Sequence, residues 1–263
     1  MVDVFEKRLR RAETLEKEWP FAGELLRFLQ AVLTHQREMH RSFVESPTRN
    51  PEGYDLFLLQ PWLAPTLDLL EAAGPRDLAR RIPPLRPWRY ADWLDYLTMV
   101  RAGTDASVQE GDPMDDPACW CVARIALQPY LMSISGGTAE QPSNRCPLCG
   151  ARPLVSVLRE DKAAETVRRT LICSLCSHEW EFARVLCPSC NEEKSEKLPR
   201  YTAQEIPWMR VDACDSCHTY LKSVDLTLNW DADPIVDELA STPLDVIARD
   251  HGYTKITPNL AGI

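Results

Sequence analysis

The sequence predicts an α+β protein: an N-terminal helical domain, two tandem four-cysteine ribbon modules, and a short C-terminal helical segment. Three observations carry that reading. Apolar residues recur at helical spacing through the first half, four C-x-x-C pairs fall at matched intervals in the second, and the composition changes abruptly between Ser135 and Asn144. The expected domains are 1–138 for the helices, 139–228 for the ribbons and 229–263 for the closing helices, with 146–176 forming a first site and 187–217 a second.

In the helical half, the clearest signal runs from Phe21 to Met39, where Ala22, Leu25, Leu26, Leu29, Val32 and Leu33 mark one helical face. A second helix is expected over Leu56 to Ala73, interrupted by Pro61 and Pro65 and closed by Gly74 at a C′ position. Prolines at 83, 84 and 87 make Ile82 to Pro87 extended or turn-like, because each disfavours helix at the residue before it. A helix follows from Trp88 to Val100, then a small, polar, acidic loop from Gly103 to Asp116. Asp116-Pro117 offers an N-cap and first-turn pair. The helix it opens spreads Cys121, Val122, Ile125, Leu127, Leu131 and Ile134 over more than one face, as a central helix does, with a kink expected near Ile125 from Pro129.

Gly136-Gly137-Thr138 and Gln141-Pro142-Ser143-Asn144 read as a linker. Beyond it lie short β-type runs at Leu154–Leu158, Thr170–Ile172 and Trp180–Leu186. Asp233-Pro234 caps a helix through Leu239, and Thr242-Pro243-Leu244-Asp245 restarts one with a capping-box-like pattern that stops at Gly252.

Eight of the ten cysteines form the pairs Cys146/Cys149, Cys173/Cys176, Cys187/Cys190 and Cys214/Cys217. The unit C-x2-C-x23-C-x2-C occurs twice, joined by a ten-residue strand-like stretch, 177 to 186. Two residues between cysteines let one tight turn aim both sulfurs at one ion, so each pair supplies half a tetrahedron. Twenty-three residues suffice for a hairpin that returns the second turn to face the first. Pairing within each unit is the leading arrangement, and a cross-braced one, first turn with third and second with fourth, is the alternative. Gly150 and Asn191 are residue types that tolerate the positive φ such turns demand. Strands this short have little core of their own, so metal is expected to be needed for folding. Four thiolates leave no open coordination position, which suits a structural or electron-carrying ion and not a hydrolytic one. The charge of such a site is near -2, and Arg145, Arg152, Arg168, Arg169, Arg184 and Lys222 are neighbours that could offset it.

Cys119 and Cys121 point to different faces of a helix and suit core packing. His178 and His218 flank the turns but are read as surface residues. No phosphate-cradling or hydrolase motif occurs, and His35, His40 and His251 have no evident nucleophile or orienting partner, so an enzyme is not expected.

The segment from Arg145 onward resembles the formate dehydrogenase accessory proteins of the FdhE type. The resemblance is carried by Cys146-Pro147-Leu148-Cys149-Gly150-Ala151-Arg152-Pro153, by Cys173-Ser174-Leu175-Cys176 leading into Glu179-Trp180 and Arg184, and by Cys187-Pro188-Ser189-Cys190. It continues through Cys214-Asp215-Ser216-Cys217 and Thr219-Tyr220-Leu221-Lys222 to Asp237-Glu238-Leu239-Ala240-Ser241 and Gly252-Tyr253, with weaker likeness at Leu25-Leu26 and Leu127-Gln128-Pro129-Tyr130. It implies a cytoplasmic maturation factor that binds the catalytic subunit of a respiratory formate dehydrogenase before export. It also implies rubredoxin-like iron or zinc, two ions per chain, in the two tetrathiolate sites.

Charge bears on the competing classes. The formal net charge is -9 and the pI about 5.2, and residues 146 to 222 hold 11 basic and 11 acidic side chains. That balance disfavours a zinc-ribbon nucleic-acid binder, which needs a basic face. An electron carrier with rubredoxin-like iron is the other alternative. Residues 1–19 interleave basic and acidic side chains without a signal-type apolar stretch, and no segment reaches the roughly 20 apolar residues of a membrane span, so a cytoplasmic protein without membrane insertion is expected. Trp180, Tyr220 and apolar residues of the N-terminal helices are candidate partner contacts.

Overall fold

The computed structural model describes residues 3–46, 55–101, 116–134, 143–161, 165–260 and 262. All of the acidic loop except Asp116, and nearly all of the linker with the boundary expected at 138/139, lie outside the described residues. The helical half comprises α1 (Val4–Glu18), α2 (Gly23–Glu45), α3 (Gln60–Ala73), the single turn α4 (Arg76–Ala79), α5 (Tyr90–Arg101) and α6 (Pro117–Ile134).

Helix α1 is concealed in the sequence by its charge. Its inward residues are Phe5, Arg8, Arg11, Ala12 and Leu15, one face at helical spacing, and two of those five are arginines. Asp3 starts it by accepting from Phe5 N at 2.9 Å. Helix α3 places Pro61 in its first turn, where no backbone hydrogen bond is lost. Gly74 ends it in extended backbone (φ -68°), not in the left-handed conformation expected of a C′ glycine. Here the glycine is required by space, because a Cβ would stand 2.4 Å from Leu70 O.

Helix α6 is central. Fourteen of its 18 residues are buried, and α2, α3 and α5 all pack on it. Asp116 caps it through Ala118 N at 2.8 Å. Pro129 has no N–H for the carbonyl of Ile125, and Gln36 of α2 supplies the missing donor, Nε2 to Ile125 O at 3.1 Å. The same amide donates to Gln128 Oε1 at 3.1 Å.

The second half forms one mixed sheet. Its strands are β1 (Pro153–Asp161), β2 (Thr166–Cys173), β3 (Glu179–Phe182), β4 (Arg200–Thr202), β5 (Met209–Cys214), β6 (Thr219–Asp225) and β7 (Thr254–Lys255). The order is β3-β2-β1-β6-β5-β4, with β7 also on β6. Each cysteine unit contributes an antiparallel hairpin, β1–β2 and β5–β6. The two hairpins fuse along a parallel seam from Val155 opposite Lys222 to Leu158 opposite Asp225. Strand β3 stops at Phe182, short of the expected Leu186, because the carbonyls of Ala183 and Leu186 turn to Arg169 Nη1 at 3.3 and 3.0 Å.

Of the closing helices α7 (Pro234–Ala240) and α8 (Thr242–Asp250), α7 lies at the centre of the assembly, while α8 covers β4 and β5 with one buried face. Every residue of α7 is buried, between α1 and α2 on one side and β1 and β6 on the other. Asp233 caps it through Ile235 N and Val236 N at 3.1 and 3.3 Å. One apolar core thus runs from Phe5 to Leu260. The capping box expected at Thr242 to Asp245 does not form. Ser241 is the cap residue of α8, and Asp245 is drawn into a buried network instead. In that network Lys222 Nζ meets Asp245 Oδ2 at 2.6 Å and Glu238 Oε1 at 3.2 Å, while Lys255 pairs with the same two carboxylates. Two cations against two anions make the network neutral, the condition under which buried charges are tolerated. Among the described residues, no helix is long and apolar enough to cross a membrane.

Candidate metal centres

Each C-x-x-C pair is a tight knuckle closed by its own backbone. Gly150 N bonds Cys146 O at 2.8 Å, Asn191 N bonds Cys187 O at 3.0 Å, and His218 N bonds Cys214 O at 2.8 Å. In the remaining knuckle Cys173 N bonds His178 O at 2.9 Å. The residue after the second cysteine has positive φ in all four: Gly150 (76°), Ser177 (57°), Asn191 (61°) and His218 (54°). Sequence types pointed to the first and third. His218 is also a type found at positive φ, whereas Ser177 adopts the same backbone without a helpful residue type, so the shared turn geometry overrides local preference there. Backbone N–H groups aim at sulfur, from Leu175 and Cys176 to Cys173 Sγ at 3.3 and 3.4 Å and from Ser189 to Cys187 Sγ at 3.4 Å. Such donors favour thiolate.

The hairpins bring the knuckles face to face within each unit. Cys146, Cys149, Cys173 and Cys176 form one group, Cys187, Cys190, Cys214 and Cys217 another, each with its sulfurs within 4.8 Å of one another. The cross-braced arrangement is not adopted. In the first group the contacts are 3.5 Å for Cys146–Cys176 and 3.3 Å for Cys149–Cys173. In the second, Cys187–Cys217 and Cys190–Cys214 are both 3.7 Å apart. A tetrahedral ion with metal–sulfur bonds of about 2.3 Å needs sulfurs about 3.8 Å apart. The donor set and spacing therefore fit one four-coordinate ion per group, and the two clusters could hold two.

Electrostatics agree. Four thiols this close cannot all ionise without a cation between them. In the first group Cys146 is held far below the ordinary thiol range by hydrogen bonds from Cys149, Cys173 and Cys176, while burial pushes Cys173 well above it. A divalent ion would replace the shared protons.

Of the six basic residues expected to offset this charge, Arg169 and Arg184 line a shallow cleft that also touches Cys187 and Cys214. Arg169 is 4% exposed. Its Nε donates to Ser156 Oγ at 2.8 Å and its Nη2 faces Asp212 Oδ2 at 3.7 Å, so a residue of the first hairpin braces the second centre. Arg145 donates to Gly150 O at 3.2 Å, and Ser174 N bonds the Arg152 carbonyl at 3.1 Å. Arg168 pairs with Glu181 at the surface. Lys222 is spent in the buried carboxylate network because β6 directs it beneath α7. Sequence reasoning missed Gln128, whose Nε2 donates to Ser177 Oγ at 3.1 Å and ties α6 to the first centre. Neither His178 nor His218 joins a cluster. Cys119 and Cys121 are buried in α6, and burial pushes the Cys121 thiol up to about 12, as core packing requires. Trp180 and Tyr220, expected as candidate contacts, are buried, with Trp180 Nε1 on Ser143 O at 2.7 Å and Tyr220 OH on Asp245 at 2.7 Å. Their polar ends are satisfied inside the molecule, which removes them from any partner surface.

Comparison with known proteins follows the same division. Residues 145–184 match the family model "FdhE, central domain" and residues 185–261 match "FdhE, C-terminal domain". A Haemophilus ducreyi protein described as an FdhE homolog is 33% identical over 96% of this chain and 87% of its own. The chain belongs to the FdhE family. An FdhE homolog of Aquifex aeolicus is 24% identical over 98% of this chain and 95% of its own. The crystal structure of the FdhE protein from Pseudomonas aeruginosa superposes with a TM-score of 0.69 at 26% identity, covering 98% of this chain and 95% of that one. The FdhE likeness thus takes in the helical half as well as the cysteine modules.

Proposed function

We propose that this chain is a formate dehydrogenase accessory protein that acts in the cytoplasm by binding the catalytic subunit during assembly or activation, before export. The observation that carries the reading is membership of the FdhE family together with both four-cysteine clusters formed in full. Cys146, Cys149, Cys173 and Cys176 would hold one ion and Cys187, Cys190, Cys214 and Cys217 a second, zinc or iron in each. Bound there, the ion cross-links two turns and, if iron, exchanges one electron. Four-thiolate coordination leaves no position for a substrate water, which supports a binding role over hydrolysis. The acidic balance supports a protein partner over nucleic acid.

The test is formate oxidation in a strain lacking the gene, with tagged protein used to recover the catalytic subunit from the native host. Loss of activity and recovery of the subunit are expected. Normal formate oxidation with no recovered subunit overturns the reading.

A further inference from the structure

The two centres are shielded unequally. Cys146, Cys173 and Cys176 are 3%, 0% and 2% exposed and belong to the continuous apolar core, with Cys149 packed against it. Trp180 lies in the same core, and α6 reaches the Cys176 knuckle through Gln128 and Ser177. The second group has no such cover. Cys187 and Cys214 are buried, yet none of its four cysteines belongs to that core. Cys190 is exposed and Cys217 is partly so. Behind Cys187 and Cys214 opens the cleft lined by Arg169, Arg184, Arg200 and Asp212. The second centre is thus open at one sulfur in front and bordered by a cationic cleft behind.

We propose that the second centre is a thiol-modification site, with Cys190 the sulfur at which small oxidants of the peroxide class and soft electrophiles enter. The second ion is lost first and the first ion is retained. This rests on the reading that each cluster holds an ion. Reactivity of a cysteine follows access to its thiolate, and access here differs between centres far more than chemistry does. With hydrogen peroxide, the Cys190 thiolate attacks one oxygen, the O–O bond breaks, and the departing hydroxide takes a proton to become water. The Cys214 thiolate, 3.7 Å away, then attacks the sulfenic sulfur. An S–S bond forms and the second oxygen leaves as hydroxide, which takes another proton. Two thiolates, one peroxide and two protons give one disulfide and two waters, and the divalent ion, left with two ligands, departs. The β5–β6 ladder, paired from Met209 opposite Val224 to Cys214 opposite Thr219, does not run through the ion and is expected to outlast its loss.

The experiment uses the full chain loaded with zinc. Metal content is measured first, and hydrogen peroxide is then added in steps while a coloured chelator reports released zinc. Iodoacetamide footprinting by mass spectrometry follows each cysteine in parallel. Two ions at the start, release of one, and modification at Cys190 with the first-centre cysteines reacting at least about tenfold more slowly are expected. Two ions released together, or first-centre cysteines modified before Cys190, overturn the proposal and leave the metal reading intact. Fewer than two ions at the start overturns the metal reading, and the proposal with it.

Discussion

Arg11 and Asp237 stand 226 positions apart and form a two-pronged ion pair, Nε to Oδ2 at 2.9 Å and Nη2 to Oδ1 at 2.6 Å, with both side chains buried. Trp208 Nε1 and Asp233 N also donate to the same carboxylate, each at 2.9 Å. The pair joins the first helix to α7, and through it to the sheet. Asp237→Asn leaves a buried guanidinium uncompensated, and a loss of about 3–5 kcal/mol in unfolding free energy is expected from urea titration. Replacing both residues by apolar ones of similar volume should recover most of it. A single mutant within about 1 kcal/mol of the parent would show that the pair is incidental.

Gln36 substitutes for the donor that Pro129 lacks. Gln36→Leu orphans the Ile125 carbonyl inside the helical core, at an expected cost of about 1–3 kcal/mol. Pro129→Ala returns an N–H to that carbonyl, so Gln36→Leu should cost about 1 kcal/mol less when made on top of Pro129→Ala. A double-mutant cycle by chemical denaturation reads this directly, and strict additivity would mean that the two residues do not share the carbonyl.

These pairs also show what the sequence reveals and what it hides. The four knuckles are local, so spacing alone pointed to both cysteine groups; periodicity located α2, and the Asp116-Pro117 pair marked the start of α6. Helix α1 escaped because Arg8 and Arg11 occupy its inward face, and their partners Asp233 and Asp237 lie on the far side of the chain. The parallel seam of β1 on β6 has no local signature, since either hairpin satisfies its own period without the other. Lys222 lies five residues beyond Cys217, close enough in sequence to suggest a counter-charge, but the pleat of β6 sends it to carboxylates of α7 and α8. The unequal depth of the two centres was invisible for the same reason, because it is set by which helices lie over them.

The buried Lys222, Lys255, Glu238 and Asp245 network predicts an acid limit to stability. Burial pushes the Asp245 carboxyl up, but Lys222 and Lys255 more than offset this and hold it below its ordinary value. A carboxyl depressed in the folded state contributes stability above its unfolded pKa of about 3.9, and loses it as pH falls through the folded value. Unfolding free energy should therefore change little from Asp245 between about pH 7 and 5 and fall below about pH 4. Asp245→Asn should lower stability at neutral pH by about 3–5 kcal/mol and flatten this acid dependence. If the Asp245→Asn variant kept the parental stability and acid slope, the network would be excluded as the cause.

The two centres should differ in what each contributes to the fold. If each cluster holds an ion, Cys146→Ser and Cys187→Ser should each reduce metal content from two ions to one. Their effects on stability should differ. Cys146 sits within the apolar core, so a lost ion there leaves a gap among buried thiols where a cross-link had been, at a site the surrounding core cannot easily collapse to fill. Thermal unfolding should shift by many degrees and soluble yield should fall. Cys187 lies beside the arginine-lined cleft, and its neighbours Cys190 and Cys217 reach solvent. Thiols freed there can protonate or hydrate in place, and β5 and β6 remain paired over six registers, so a smaller shift is expected. Because the sheet is backed by α7 and the helical core, neither loss should unfold the chain outright, unlike a lone ribbon whose metal replaces a core. Calorimetry on both variants with parallel metal analysis is the check. Equal shifts would mean that depth of burial does not govern what each ion contributes.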